Sequence, residues 1–522
     1  MRVTAITLSA LVLAALGGCT SLKSGTDVLR GASDGGVDAT GTDGGPDCVD
    51  PTGFGGAGCY RCTPTTRDQL LTACTSASTE PFDESMRLPA LPDGGVVLPA
   101  PMDAGVPMDA GPSDAGMPSD AGVGGDAGPM VRQCASLMNP VYVTGSSAVG
   151  LFLGQVAQAL ENDGAPITIV YRASGSCAGV TSMITPMSGM LTGTAIYWDP
   201  NPGVDPTSAA AQLPCALAAG GVQADIGFSD VFASTCQTLP SGLDTLGLHD
   251  FTGPIQTMNF VVPVSSRQRA ISAEAAFLVY GFGGATYPVM PWTDATHILQ
   301  RNASSGTQAL IGATIGLPRD RWMGVPNASS SAMRDALLAA GMVGGTTADA
   351  TIGILASDVL DSLRSNIRGL AYRHYGQPVA FYPDSTGDTS ARDKRNVRDG
   401  HYPLFGPLHM IARSGASGMA TSASVQRIVN VINGVEMLSG LNIVDIYAQR
   451  SLIPQCAMRV ARTADGGDLV PFHPDTPCGC YYEELATHVG TPQGCTPCTR
   501  VEQCGTGQQC VTFPGQTMGY CE

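Results

Sequence analysis

The sequence predicts a layered α/β fold, and the order of its periodic segments carries that prediction. After Cys134, "PVYVTG" alternates in the manner of a strand, "SSAVGLFLGQVAQALEND" repeats apolar residues at helical spacing, and "APITIVYRAS" alternates again. The pattern continues with "GSCAGVTSMI" as loop and helix, "ADIGFSD" as a buried strand with its outgoing loop, and "TMNFVVPVS" as a strand. Such an order stacks helices on a sheet. Ligands of these sheets bind beyond the carboxyl ends of strands, where loops lead into helices.

The chain opens with "MRVTAITLSALVLAALGGC": a charged Arg2, an apolar run to Leu16, then small residues before Cys19. This reads as a secretory signal over residues 1–18. The ending "LGGC" resembles a bacterial lipobox, which implies cleavage before Cys19 and acylation of that cysteine, leaving the protein anchored to a membrane by lipid rather than spanning it. By resemblance to lipoprotein sorting rules, Thr20 in place of an aspartate favours the outer membrane over the inner one. No later segment holds the roughly 18 uninterrupted apolar residues of a membrane helix.

Residues 19–47 are poor in large apolar groups and read as a flexible linker. A small Cys-containing segment follows at 48–74. Residues 75–130 read as a second linker, because Asp-Ala-Gly recurs from Asp103 to Gly128 with almost nothing to bury. The chain has 17 cysteines. With Cys19 set aside for lipid the remainder is even, and in an exported chain disulfides are the default reading. The pairs "CYRC" and "CTPC" could serve as zinc or redox elements, but zinc requires thiolates, so structural staples are favoured and no metal site is expected.

A net charge of −17 excludes the positive footprint that nucleic acid demands. Lys23 and Lys394 are the only lysines, so no GxxxxGK[ST] phosphate loop exists. An anion site in this chain must be local. Three loops offer the same chemistry: "TGSSAVG" sets Ser146 and Ser147 before a helix, "ASGSCAG" sets Ser176, and "RNASSGT" sets Ser305, Gly306 and Thr307 after Arg301. Hydroxyls and free amides at a helix start receive anions, although serines there often serve only as N-caps. A fourth loop, "GFSD", ends a strand with Asp230. A buried carboxylate accepts a hydrogen bond from protonated phosphate and repels sulfate, so Asp230 would discriminate while the Arg301 fork balances the charge.

In this order, "VYVTGSSAVG", "YRASGSCAGV", "IGFSD" and "RNASSGT" resemble the ligand loops of the phosphate-binding proteins of high-affinity ABC importers, members of the type II periplasmic binding proteins. The resemblance covers about residues 139–450. It implies a clamshell of two α/β lobes within a domain spanning 131–455, lobe 1 at about 139–258 and 400–450 and lobe 2 at about 259–399. It also implies two crossings, in "GPIQTMNFVVPVSS" and "YPLFGPLHMIARS". Ser147, Ser176 and Asp230 would line one lobe, with Ser146 beside them, and Arg301, Ser305, Gly306 and Thr307 the other. The implied function is capture of phosphate or a similar oxyanion, without cofactor or catalysis, for delivery to an ABC permease. Two departures stand out. Ala303 replaces an aspartate that usually follows the arginine by two positions, removing an orienting partner. Ala148 stands where many members have Phe.

Other stretches carry weaker signals. The insertion at 187–224, with "TAIYWDPNPGVDPTS", is expected to be a surface excursion; the rival is that Tyr197 and Trp198 cover the cleft. Cys177 follows Ser176 and is expected to pair with Cys215 or Cys236 rather than act as a nucleophile. His374, His401 and His409 show no metal-ligand spacing. "LRSNIRGLAYRHYGQPVAFYPD" reads as a solvated helix leading into a strand, and "ASVQRIVNVINGVEMLSG" as an amphipathic helix of lobe 1. Residues 456–522, with eight cysteines, read as a separate disulfide-rich module. The added cysteine-rich ends leave a surface sensor or adhesin as the alternative, and an envelope phosphatase as a third.

Overall fold

The alternating and helical runs from "PVYVTG" to "TMNFVVPVS" fold where their periodicity places them. The computed structural model describes residues 48–83, 87–89, 98–100, 131–239, 242–513 and 516–522. The signal segment, Cys19, the 19–47 linker and the Asp-Ala-Gly repeats lie outside these residues. The first strand, β1 (Pro140–Gly145), leads through a short turn into α1 (Gly150–Glu161). It pairs in parallel with β2 (Thr168–Ala173), which is followed by α2 (Ser176–Ile184). α1 buries Phe152, Leu153, Val156, Ala157 and Leu160, one face of a 3.6-residue period, against the sheet. The insertion supplies β3 (Thr194–Trp198) and β4 (Gln212–Ala216), which extend the sheet beyond β2. Next comes β5 (Ile226–Ser229), parallel to β1 on its other side.

A 16-residue strand, β6 (Leu248–Pro263), joins two halves of the fold. The second half contains β7 (Leu299–Arg301), α3 (Gly306–Ile315), β8 (Gly353–Ala356) and β9 (Ile367–Gly369). The chain then returns along β10 (Phe405–Arg413) to α4 (Ala423–Ile432). From Leu248 to Thr257 the long strand pairs with β10, and from Met258 to Pro263 with β8 and β9. The strand order of the large sheet is β8-β6-β10-β5-β1-β2-β3-β4. The result is the expected mixed α/β architecture of two halves, with β6 and β10 running along the predicted crossings. Among the described residues no helix is long and apolar enough to cross a membrane.

Two expectations are corrected by burial. Trp198 is fully buried, stacked on Tyr171 at 5.9 Å and pressed on Gly154, where a Cβ would lie 2.4 Å from the indole Nε1. The insertion thus adds two strands to the sheet edge and puts Trp198 in the core rather than over the cleft, while residues 199–210 run along the surface, and Cys134–Cys215 staples it down. The arginine-rich stretch is not a solvated helix either: it forms β9 and the strand Ala371–Arg373. Just before β9 the half-buried Arg364 pairs with Asp361 and Asp384, and the fully buried Lys394 stands 2.7 and 2.9 Å from the same two carboxylates.

Both cysteine-rich ends are fastened to this body. Cys48–Cys62 and Cys59–Cys74 close the first. Leu70 and Leu71 are buried, and Gln377 donates to the Leu71 carbonyl at 2.8 Å. Thr79–Glu80, inside the stretch expected to be linker, pairs with Ala380–Phe381. The C-terminal stretch forms a hairpin, β11 (Val460–Ala461) and β12 (Val470–Pro471), then α5 (Gly479–Thr487). Four disulfides close it: Cys456–Cys478, Cys480–Cys495, Cys498–Cys510 and Cys504–Cys521. Both "CYRC" and "CTPC" cysteines are staples. Glu483 of α5 accepts from the buried Arg398 at 3.0 Å and pairs with Arg395.

Candidate functional site

Three neighbouring parallel strands, β5, β1 and β2, end side by side, so residues far apart in sequence emerge at one point. Gly145 closes β1 with φ +125°, and a Cβ there would lie 1.9 Å from the Phe228 carbonyl oxygen, so only glycine lets the loop pass. Ser146 follows and donates through Oγ to both Asp230 oxygens at 2.7 Å. Ser176, the first residue of α2, donates to Asp230 Oδ2 at 2.9 Å and accepts from the Asp230 amide at 3.2 Å. All three are buried. Ser147 is exposed on the next turn and stands outside the cluster.

The second half of the fold meets this cluster through the Arg301 loop. The Cys177 amide donates to the Ser304 carbonyl at 3.2 Å. Gly306 opens α3 directly against the cluster: a Cβ there would lie 2.3 Å from Ser176 Oγ and 2.7 Å from Asp230 Oδ2. Ser305 caps α3 by accepting from the Gln308 amide, and Thr307 is buried beside it. Arg301, at the end of β7, is 7% exposed. Its Nε donates to the Asn327 carbonyl at 3.2 Å and its Nη1 to Ser330 Oγ at 2.8 Å. These partners orient the guanidinium where Ala303 offers no carboxylate. No protein partner of Arg301 Nη2 is found among the described residues.

Burial and charge pull against each other here. Desolvation pushes the Asp230 carboxyl above its ordinary range, opposed by the Ser146 and Ser176 hydrogen bonds and then by His409 and Arg301. Burial lowers Arg301 to about 10, partly offset by the Asp230 charge. A second acid joins them: burial and then repulsion from Asp230 raise Asp358 to about 7. Gln256 donates to its Oδ1 at 3.0 Å. Asp358 was not among the sequence candidates, yet a signal existed, since Ser-Asp follows the buried strand of "GILASD" much as it closes "IGFSD". Asn327, Ser330 and His409 had no such signal; long-range pairing alone brings them in. His409 is buried and bonds Asp250 Oδ2 through Nδ1 at 2.7 Å.

The arrangement suits holding an anion. Each serine has one hydroxyl proton, now directed at Asp230, and must turn to serve a ligand oxygen. The first amides of α3 lack partners within the helix, and Arg301 keeps one fork end free among the described residues. Cys177, bonded to Cys236, is no nucleophile. A cavity of about 440 Å³ lies nearby, lined by Thr235, Ala303, Ala313, Leu317 and Arg319 among others, but not by Ser146, Ser176, Asp230 or Arg301.

No protein-family model and no curated protein matches the sequence. Several solved structures are similar in fold at low identity. A putative phosphate ABC transporter substrate-binding protein with bound phosphate from Clostridium perfringens shares 13% identity over 60% of this chain and 99% of its own, with a TM-score of 0.39. An ABC-type phosphate transport receptor from Vibrio cholerae shares 13% over 60% of this chain and 100% of its own, at 0.38. A phosphate-binding protein from Stenotrophomonas maltophilia shares 12% over 68% and 100%, at 0.34. At these TM-scores the likeness adds nothing to the case for a ligand, which rests on the residues themselves.

Proposed function

We propose that this chain is an extracytoplasmic solute-binding protein, lipid-anchored through Cys19, that captures inorganic phosphate or a similarly protonated oxyanion between its two halves. Delivery to an ABC permease belongs to the same proposal. The observation that carries it is a buried carboxylate, Asp230, held by two serine hydroxyls, packed against the amide end of α3 and within electrostatic reach of a buried arginine, Arg301. Arg301 supplies charge and Asp230 accepts a proton-bearing oxygen, a pairing that favours phosphate over sulfate. Closure of the halves then follows from binding, because the ligand touches loops of both.

Equilibrium binding of radiolabelled phosphate, with sulfate as competitor, tests this directly. Saturable phosphate binding that sulfate fails to displace is expected, and its absence from folded protein would remove the proposal. Arg301→Ala should weaken binding by about 100-fold, since it leaves a desolvated anion without its counter-charge. Asp230→Asn should narrow the preference for phosphate over sulfate; an unchanged ratio would refute the discriminating role.

A further inference from the structure

The C-terminal hairpin touches both halves of the fold beside the candidate site. Its tip runs from Arg462 to Leu469 between β11 and β12. Asp465 Oδ2 accepts from the Phe232 amide at 2.9 Å and from the Thr235 hydroxyl at 2.6 Å, holding the loop that leaves Asp230. The next residue, Gly466, lies against α3 of the other half. With φ +67°, a Cβ there would sit 2.3 Å from the Ala313 carbonyl oxygen. Arg462 anchors the tip's base: its Nη2 donates to the Pro403 carbonyl at 2.9 Å and its guanidinium lies 4.3 Å from the Phe405 ring centroid, at the start of crossing strand β10. The hairpin's root is tied by Cys456–Cys478.

From these contacts we infer that the hairpin tip is a latch across the cleft, with Asp465 gripping the Asp230 loop and Gly466 seated on α3. The grip is direct on both ligand-bearing elements. α3 is a single ten-residue helix, so a hold on Ala313 restrains the Ser-Gly-Thr turn at its other end. Opening the two halves about β6 and β10 carries α3 away from Phe232 and Thr235, and the tip cannot follow both. It adds to two direct ties between the halves, the Cys177 amide on the Ser304 carbonyl and Arg319 Nη2 on the Cys236 carbonyl at 2.6 Å. The latch therefore sets how often the cleft opens. Its consequence for phosphate release rests on the function proposed above; the restraint on opening does not.

Hydrogen exchange of the full chain, read by mass spectrometry without added ligand, tests the restraint. The reporter is the Cys177 amide, bonded across the cleft and far in sequence from the hairpin. Asp465→Ala and Gly466→Ala should each speed its exchange by about ten-fold, the effect of losing one or two buried hydrogen bonds or contacts from the closed state. Amides of β1 and β2 should keep their rates. Unchanged Cys177 exchange in both variants would overturn the latch. Should Asp465→Ala also expose β1, Gly466→Ala decides the matter, because it leaves the carboxylate in place and adds one methyl at the tip. Stopped-flow phosphate release is the second arm and should quicken in both variants. Wild-type protein that binds no phosphate would sink the ligand reading alone, and the exchange rates would still decide for or against the latch.

Discussion

Asp358 shows how one side chain reports on its surroundings. Its pKa of about 7 stands above the ordinary carboxylate value because burial and the neighbouring Asp230 charge both disfavour ionisation. The native state therefore keeps a proton that the unfolded chain releases near pH 4. Stability from this group is full below about pH 4, falls as pH rises towards 7, and is level above that. Asp358→Asn mimics the protonated form and should lose the slope, so melting temperatures of variant and wild type should diverge between pH 4 and 7. Parallel curves would show that Asp358 ionises freely. Asp230 and Arg301 stand in the same balance: burial disfavours the charged form of each, and the opposite charge of the other favours it.

At the scale of elements, the inserted strands β3 and β4 link packing to the site. Trp198 stacks on Tyr171, and the Tyr171 hydroxyl donates to the Ser146 carbonyl at 2.6 Å. Removing the indole leaves a cavity beside the support of the Ser146 loop. Trp198→Ala should cost roughly 3–5 kcal/mol in denaturant unfolding, and exchange at the Ser146 loop should quicken with it. A cost under about 1 kcal/mol would place Trp198 outside the core. The segment holding "TAIYW" was expected to be a surface excursion, and its pairing was not legible, because Ile196 opposes Tyr171 across 25 residues of sequence and no local rule sets that register. Helices were more legible: the apolar stripes of α1 and α4 each depend on neighbours three or four residues away.

For the whole molecule, the cysteine-rich ends are part of the folded body. Arg398 is fully buried, and Glu483 of the C-terminal helix α5 is its carboxylate partner. Glu483→Gln removes the charge that is hydrogen-bonded to that guanidinium and should lower stability by roughly 3–5 kcal/mol, read by thermal unfolding of the oxidised chain. A change within error would mean that the C-terminal stretch stands apart, as the sequence alone suggested.

The sequence by itself determined the α/β class, the even count of pairing cysteines, and the loops carrying Ser146, Ser176, Asp230 and Arg301. The class and the loops are written in residues close together along the chain: a period of two or of 3.6, a helix start, a Ser-Asp at a strand end. Only the tertiary structure decided that Ser146 and not Ser147 faces Asp230, that Cys177 pairs with Cys236, that Trp198 belongs to the core, and that Asp465 reaches the Asp230 loop. Those outcomes depend on strand order and on closure of distant segments, where burial rather than local periodicity selects the partner.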